Sequence, residues 1–256
     1  MSHRHYSHLL GLYPLFQLNP DSPEDRELVD KSVVHWHKIG DGKGLAGYSY
    51  TGAASLYAAL GRGNDSESIL HHFLTGSIGI SQLLSNTFYV ESGGKNPVIE
   101  TPLSAAASIM ELLMQSWGNK IRIFPAVPDH WKNASFNDLR AQGGFLVCAS
   151  RKDGNTEWVQ IHSLAGEPCV VKIPGWTSAY QAVKGKAFHI ESHGNNEFKI
   201  NLAAGDVILL APSAAPVKAI VQPVGHLTEE KNLYGVKKGK HLPDNQNWPE
   251  PEYVVK

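Results

Sequence analysis

The residues of this chain best suited to chemistry sit in two stretches. One is Asn96-Pro97-Val98-Ile99-Glu100-Thr101-Pro102-Leu103, with a single carboxylate at Glu100; the other is His3-Arg4-His5-Tyr6-Ser7-His8, dense in imidazoles. Glu100 stands just ahead of a strongly signalled helix. Thr101 suits the N-cap and Pro102 the first helical position. The stretch from Ser104 to Trp117 then carries Ala105, Ala106, Ala107, Ile109, Met110, Leu112 and Leu113. That is too apolar for an exposed helix, so a buried one is expected, its first turn facing whatever Glu100 faces. The partial positive charge of a helix N-terminus favours an ionised carboxylate nearby. An ionised, anchored carboxylate can take a proton as a general base. The alternative is a structural acid that caps the helix or pairs with a cation.

The histidine-rich stretch also has two readings. Its H-x-H-x-x-H spacing admits a metal, because imidazoles ligate zinc and related ions. No further ligand set follows: His71-His72 and His35-x-His37 are loose pairs, and His-Glu-x-x-His is absent. The other use is recognition of a neutral polyhydroxylated ligand, in which Arg4 and His5 donate directed hydrogen bonds to ring hydroxyls. Tyr6, Tyr48 or Trp36 would offer an aromatic face to a sugar, although Trp36 falls at helical spacing with apolar neighbours, which places it in the core.

Other chemistries find no support. There is no nucleophile elbow, phosphate-cradling loop or dinucleotide fingerprint; Gly40-Asp41-Gly42-Lys43-Gly44 ends a helix and does not follow a strand. Basic residues are scattered, the formal net charge is -1 and the pI about 6.9, so neither nucleic acid nor an acidic lipid surface is suggested as a partner. No apolar run is long enough for membrane insertion, and no cofactor is called for. Met1 is followed at once by polar residues, without the pattern of a signal peptide. So abrupt a start in a dense motif raises the expectation that this is the C-terminal part of something longer.

The elements that must position these residues change character near Trp117-Gly118-Asn119. Before that break the pattern is helical. Ser22-Pro23-Glu24-Asp25 reads as a capped helix start, with a helix to about Ile39 whose Leu28, Val29, Ser32, Val33 and Trp36 share a face. Helices are expected from Tyr48 to Leu60 and from Ser66 to Leu74; Ser77 to Asn96 carries no clear signal, and a helix over 102–117 follows. After the break, strands are expected at Ile121–Pro125, Gly144–Ser150, Thr156–His162, Cys169–Ile173, Phe198–Leu202 and Val207–Leu210. Asp153-Gly154 marks a hairpin turn. Helices and then strands give a segregated α+β chain. Residues 1–118 form an α/α unit, 119–221 a small antiparallel β-sandwich, and 222–256 a polar tail that is extended or loosely docked. Cys148 and Cys169 fall in strand-like runs and read as buried free thiols by default, with a disulfide as the minority reading. Asn133-Ala134-Ser135 matches the glycosylation sequon, a short and weak signal.

Taken in order, these motifs resemble glycoside hydrolase family 95, the α-L-fucosidases with some α-L-galactosidases. His3-Arg4-His5-Tyr6-Ser7-His8-Leu9 with Gly11-Leu12-Tyr13-Pro14 is similar to the family's His-Arg-His-x-Ser-His-Leu and Gly-Leu-Tyr-Pro signature. Glu111-Leu112-Leu113-Met114-Gln115-Ser116 resembles Glu-Met-Leu-Leu-Gln-Ser. Phe124-Pro125-Ala126-Val127-Pro128 before Trp131, and Leu139-Arg140-Ala141-Gln142-Gly143-Gly144-Phe145, match further family stretches. The resemblance covers roughly residues 2–165. It implies the last helices of a six-hairpin (α/α) toroid followed by a C-terminal β-domain, in an exo-acting enzyme that removes terminal α-linked L-fucose or L-galactose from an oligosaccharide or glycan with inversion. It also implies a secreted or periplasmic location. Inversion needs one carboxylic acid to protonate the leaving oxygen and one carboxylate to activate water.

On the same resemblance Glu100 stands at the family's base-side Asp, and Arg4 and His5 inherit sugar binding. The family's general acid and the two Asn that assist the base lie upstream of the His-Arg-His signature, in a missing N-terminal half. The family reads Gln-Ile-Asp-Gly-Asn-Phe-Gly where this chain has Val98-Ile99-Glu100-Thr101-Pro102-Leu103-Ser104. The longer side chain moves the carboxylate by about one bond length. The competing expectation is therefore a non-catalytic carbohydrate-binding or scaffold fragment that lacks the acid. A histidine metal hydrolase ranks third.

Overall fold

The computed structural model describes residues 3–74, 82–83, 89–91, 96–182, 185–215, 217 and 219. The described chain falls into two compact units, within residues 1–109 and 110–224. The first holds the helices and a small three-stranded sheet, the second two five-stranded sheets, so the fold class is α+β. The expected tail 222–256 lies outside the described residues.

The first unit is built on α1 (Pro23–Lys38), α2 (Gly47–Ala59), α3 (Gly63–Leu74) and the first turns of α4 (Glu100–Leu113). On α1 the apolar face predicted from spacing buries Val29, Val33 and Trp36, while Leu28 stays exposed. Ser22 precedes the helix without a side-chain capping bond, so the capping box read from Ser22 and Asp25 does not form. Every residue of α2 from Thr51 to Ala59 is buried, which its Gly and Ala content permits. At Gly52 an added Cβ would lie 2.2 Å from the Tyr6 ring, so only glycine lets that ring lie against the helix. Tyr6, Leu9, Leu12, Val33, Trp36, Leu56 and Leu60 belong to one core cluster.

Two features depart from the sequence reading of this unit. The stretch without a clear signal contains a three-stranded antiparallel sheet, β1 (Gln82–Leu83), β2 (Tyr89–Glu91) and β3 (Asn96–Val98). Its Tyr89 is fully buried, and its hydroxyl accepts a hydrogen bond from the Gly47 N–H at 2.8 Å. The other departure is α4, which starts at Glu100 and stops at Leu113. Helical bonding begins early, with the Leu103 N–H on the Ile99 carbonyl at 3.4 Å. Thr101 therefore lies inside the first turn, its hydroxyl buried without a hydrogen-bond partner, and does not cap. Nor is α4 buried all round: Thr101, Ala105, Ser108 and Leu112 face inward, while Leu103, Ala106, Ile109 and Met110 lie open.

Residues Met114–Trp117, expected to finish that helix, instead form β4. They pair antiparallel with β5 (Lys120–Ile123) across Gly118 and Asn119, which have φ of 60° and 58°. Two successive left-handed residues give the tight hairpin turn that the right-handed twist of paired strands prefers. The remaining strands are β6 (Ala134–Ala141), β7 (Phe145–Lys152), β8 (Asn155–Ser163), β9 (Pro168–Lys172), β10 (Tyr180–Gln181), β11 (Ile190–Ser192), β12 (Glu197–Asn201) and β13 (Val207–Ala211). One five-stranded sheet runs β10-β13-β8-β7-β6 and the other β11-β12-β9-β5-β4. The expected Asp153-Gly154 turn joins β7 to β8, with φ of 48° and 82°. Inward side chains from both sheets, among them Ile121, Val147, Ile161, Val171, Ile200 and Leu210, form a single core. Cys148 and Cys169 are buried and free. Burial pushes the Cys169 thiol up to about 12, so it stays protonated and acts as a small apolar group.

Candidate functional site

Glu100 and His5, far apart in sequence, line one cavity of about 580 Å³ in the helical unit. Tyr6, Tyr13, Tyr48 and Leu103 line it as well. The first turns of α4 supply Glu100, Leu103, Ser104 and Ala107, at i, i+3, i+4 and i+7 on one helix face. The Glu100 side chain is exposed and lines the cavity.

The opposite wall is the segment His3–Tyr13, which has little regular structure of its own and is fixed by side chains reaching from α1 and α2. The Trp36 indole N–H donates to the His3 carbonyl at 2.7 Å. The Ser49 hydroxyl donates to the Arg4 carbonyl at 2.8 Å and accepts from the Ala46 N–H at 3.2 Å. The Ser49 carbonyl in turn accepts from His37 Nε2 at 3.2 Å. Burial holds the pKa of His37 below that of a free imidazole, with the bond to Ser49 acting the other way. Neutral His37 therefore sits behind the wall as a donor.

Arg4 does not line the cavity. Its Nε–H donates to His5 Nε2 at 3.1 Å, so that ring nitrogen is the acceptor. His5 thus lines the cavity, and the exposed Arg4 is hydrogen-bonded to its ring.

Of the aromatics considered for sugar stacking, Trp36 is in the core, at 4% exposure. Tyr6 is also buried and stacks on Tyr48, with ring centroids 5.8 Å apart and planes 8° from parallel. Burial first, and its hydrogen bond with Tyr48 second, push the Tyr6 phenol far above its ordinary pKa, so it remains a neutral phenol. Tyr48 and Tyr13 are the half-buried rings on the cavity. Tyr13, Leu103 and Ala107 were not singled out from the sequence. The signal for Leu103 and Ala107 was their helical spacing from Glu100, hidden by starting α4 two residues late.

His8 turns to other partners. Its ring meets Trp36 edge-on at 6.1 Å, and burial with the nearby His35 lowers its pKa. Among the described residues, no group of three or more His, Cys, Asp or Glu side chains is arranged to hold a metal ion, and no helix is long and apolar enough to cross a membrane. A carboxyl group, an imidazole hydrogen-bonded to a guanidinium, and phenol rings around an apolar hollow can bind an uncharged hydroxylated ring and accept a proton at one edge of it.

Comparison with known proteins identifies the family. Residues 1–113 match the glycosyl hydrolase family 95 catalytic domain, and residues 115–210 the glycoside hydrolase family 95 C-terminal domain. Alpha-L-fucosidase 2 of Arabidopsis thaliana is 28% identical over 194 residues, 73% of this chain and 22% of that protein. The chain thus spans about a fifth of the length of this relative.

Proposed function

The chain belongs to glycoside hydrolase family 95, and from that premise we propose that it is part of an inverting, exo-acting glycosidase. The enzyme cleaves terminal α-linked L-fucose or L-galactose from a glycan. Glu100 is the base that takes a proton from the attacking water, and His5, backed by Arg4, binds the sugar. The observation that carries this reading is the convergence of Glu100 and His5 on one cavity of about 580 Å³ from two distant stretches of chain.

Inversion requires a second carboxyl group, an acid that protonates the leaving oxygen from the other face of the sugar. On this reading that acid lies in a region of the protein N-terminal to the His3-Arg4-His5 stretch. That region also completes an (α/α) toroid, of which the helices before β4 are the last, and the two five-stranded sheets form a C-terminal β-sandwich. Open apolar residues on α4 and beside it that do not line the cavity, such as Ile99 at 70% and Ile109 at 37% exposure, support a neighbour that covers them. A secreted or periplasmic location follows the same reading, since terminal sugars on extracellular glycans are its substrate.

The test is to produce the protein together with its N-terminal region and follow the cleavage of aryl α-L-fucoside and α-L-galactoside by proton NMR. The expected result is turnover in which the β-anomer of the free sugar appears first. Release of the α-anomer first contradicts inversion. Sugar binding by calorimetry without turnover instead favours a carbohydrate-binding role, to which the Glu100 segment, altered from the family pattern, would also be suited.

A further inference from the structure

The β-rich unit carries a cavity of its own, about 500 Å³ in volume, within the range of about 300–1,000 Å³ common to small-ligand clefts. Three connections build it: the β4–β5 turn with Asn119, the β6–β7 turn with Gln142 and Gly143, and the segment before β9 with Glu167. These walls are tied together. The Gln142 N–H donates to Ser116 Oγ on β4 at 2.7 Å, which fixes the second turn to the first hairpin. The Leu164 N–H donates to the Gly144 carbonyl at 2.7 Å, and the Gly166 N–H to Ser163 Oγ at 3.1 Å, which fix the third connection. A ligand entering this groove would not have to order its walls, which spares part of the cost of binding.

The lining has a definite chemistry. Val170 is the half-buried apolar side chain of its floor, and Ile121 and Phe145, which also line it, are packed into the core. The exposed rim holds the carboxamides of Asn119 and Gln142 and the carboxylate of Glu167. Among the described residues no hydrogen bond occupies the side chain of any of these three. Lys120 also lines the groove, but its ammonium is bound to Glu197 at 2.8 Å. Carboxamides donate and accept at once, and a carboxylate accepts from hydroxyls. Such a rim over an apolar floor matches a sugar ring, whose C–H face is apolar and whose edge carries hydroxyls. A purely apolar ligand would leave the polar rim desolvated and unpaired, and Glu167 repels an anion.

We propose that this groove is a second carbohydrate site, taking neutral sugar residues through Asn119, Gln142 and Glu167. It shares no lining residue with the Glu100 cavity and does not depend on the chain taking part in catalysis. The experiment is a titration of the full chain, labelled with nitrogen-15, with L-fucose, lactose and xylotriose, reading the side-chain amides of Asn119 and Gln142. The proposal expects saturable shifts at both amides with at least one of these probes, and a loss of affinity of about tenfold or more in Asn119→Gly/Gln142→Ala. Asn119→Gly keeps the left-handed turn, and an unchanged unfolding midpoint verifies that the variant is folded. The proposal is overturned if no probe gives saturable shifts at these amides up to about 50 mM, if shifts are confined to residues of the Glu100 cavity, or if the folded variant binds as tightly as its parent.

Discussion

Glu100 and His5 owe their proposed roles to what surrounds them. His5 lines the cavity, and Arg4, outside the lining, is hydrogen-bonded to the His5 ring. In protein that includes the N-terminal region, His5→Ala is expected to lower kcat/KM by about tenfold or more, mainly through KM, and Arg4→Ala to cost less. Steady-state kinetics on an aryl α-L-fucoside check both; an equal or larger loss for Arg4→Ala would place the guanidinium on the sugar itself. A different carboxyl group, Glu111 on α4, shows how burial alone sets a proton's affinity. Burial raises its pKa from 4.5 to about 7. The folded state therefore carries no penalty below about pH 4.5, and stability is lost as pH rises through about 7, where the buried group must ionise. Glu111→Gln is expected to raise the free energy of unfolding by about 2 kcal/mol near pH 8 and by less near pH 5. Urea denaturation at the two pH values measures the difference. At this scale Glu100, Arg4 and His5 stood out in the sequence by motif. That Glu100 and His5 line one cavity and Arg4 does not was not legible, because no local pattern encodes which side chain faces it.

At the scale of elements, strong local patterns survived and ambiguous ones gave way to tertiary pairing. α1 and the strands β7, β8, β9, β12 and β13 fall where periodicity and turn residues put them. The apolar stretch after Glu100 was extended too far, because Met114–Trp117 has no breaker before it and becomes a strand only through its ladder to β5. β6 was missed because its register shifts between Phe136 and Leu139, with Asp138 at φ 53°, and the bulge breaks the alternation that marks a strand. The packing of Tyr6 on α2 was not legible either, although the small residues of α2 pointed to close approach. It yields a prediction: Gly52→Ala sets a methyl 2.2 Å from the Tyr6 ring and is expected to destabilise the helical unit by about 2 kcal/mol or more. Its thermal midpoint should fall accordingly. A midpoint equal to the parent's would mean that Tyr6 can move away without cost, and the His5 wall with it.

For the molecule as a whole, the division into a helical and a β-rich part was legible from the change of periodicity, because each class of element buries its apolar side chains with a different repeat. The core cluster of the β-rich unit is drawn from its own strands and the turns between them. A fragment of residues 110–219 is therefore expected to unfold in one cooperative urea transition; a broad, non-cooperative change would show that this core needs the helical unit. What the sequence motifs and the structure jointly propose is that Glu100 activates water in an inverting glycosidase. The most direct measurement is kcat/KM for an aryl α-L-fucoside or α-L-galactoside in the protein with its N-terminal region, before and after Glu100→Gln. Removing the base while keeping the shape is expected to cost about a hundredfold or more. A loss of less than about tenfold, with the variant folded, would contradict the assignment and move the base to another residue.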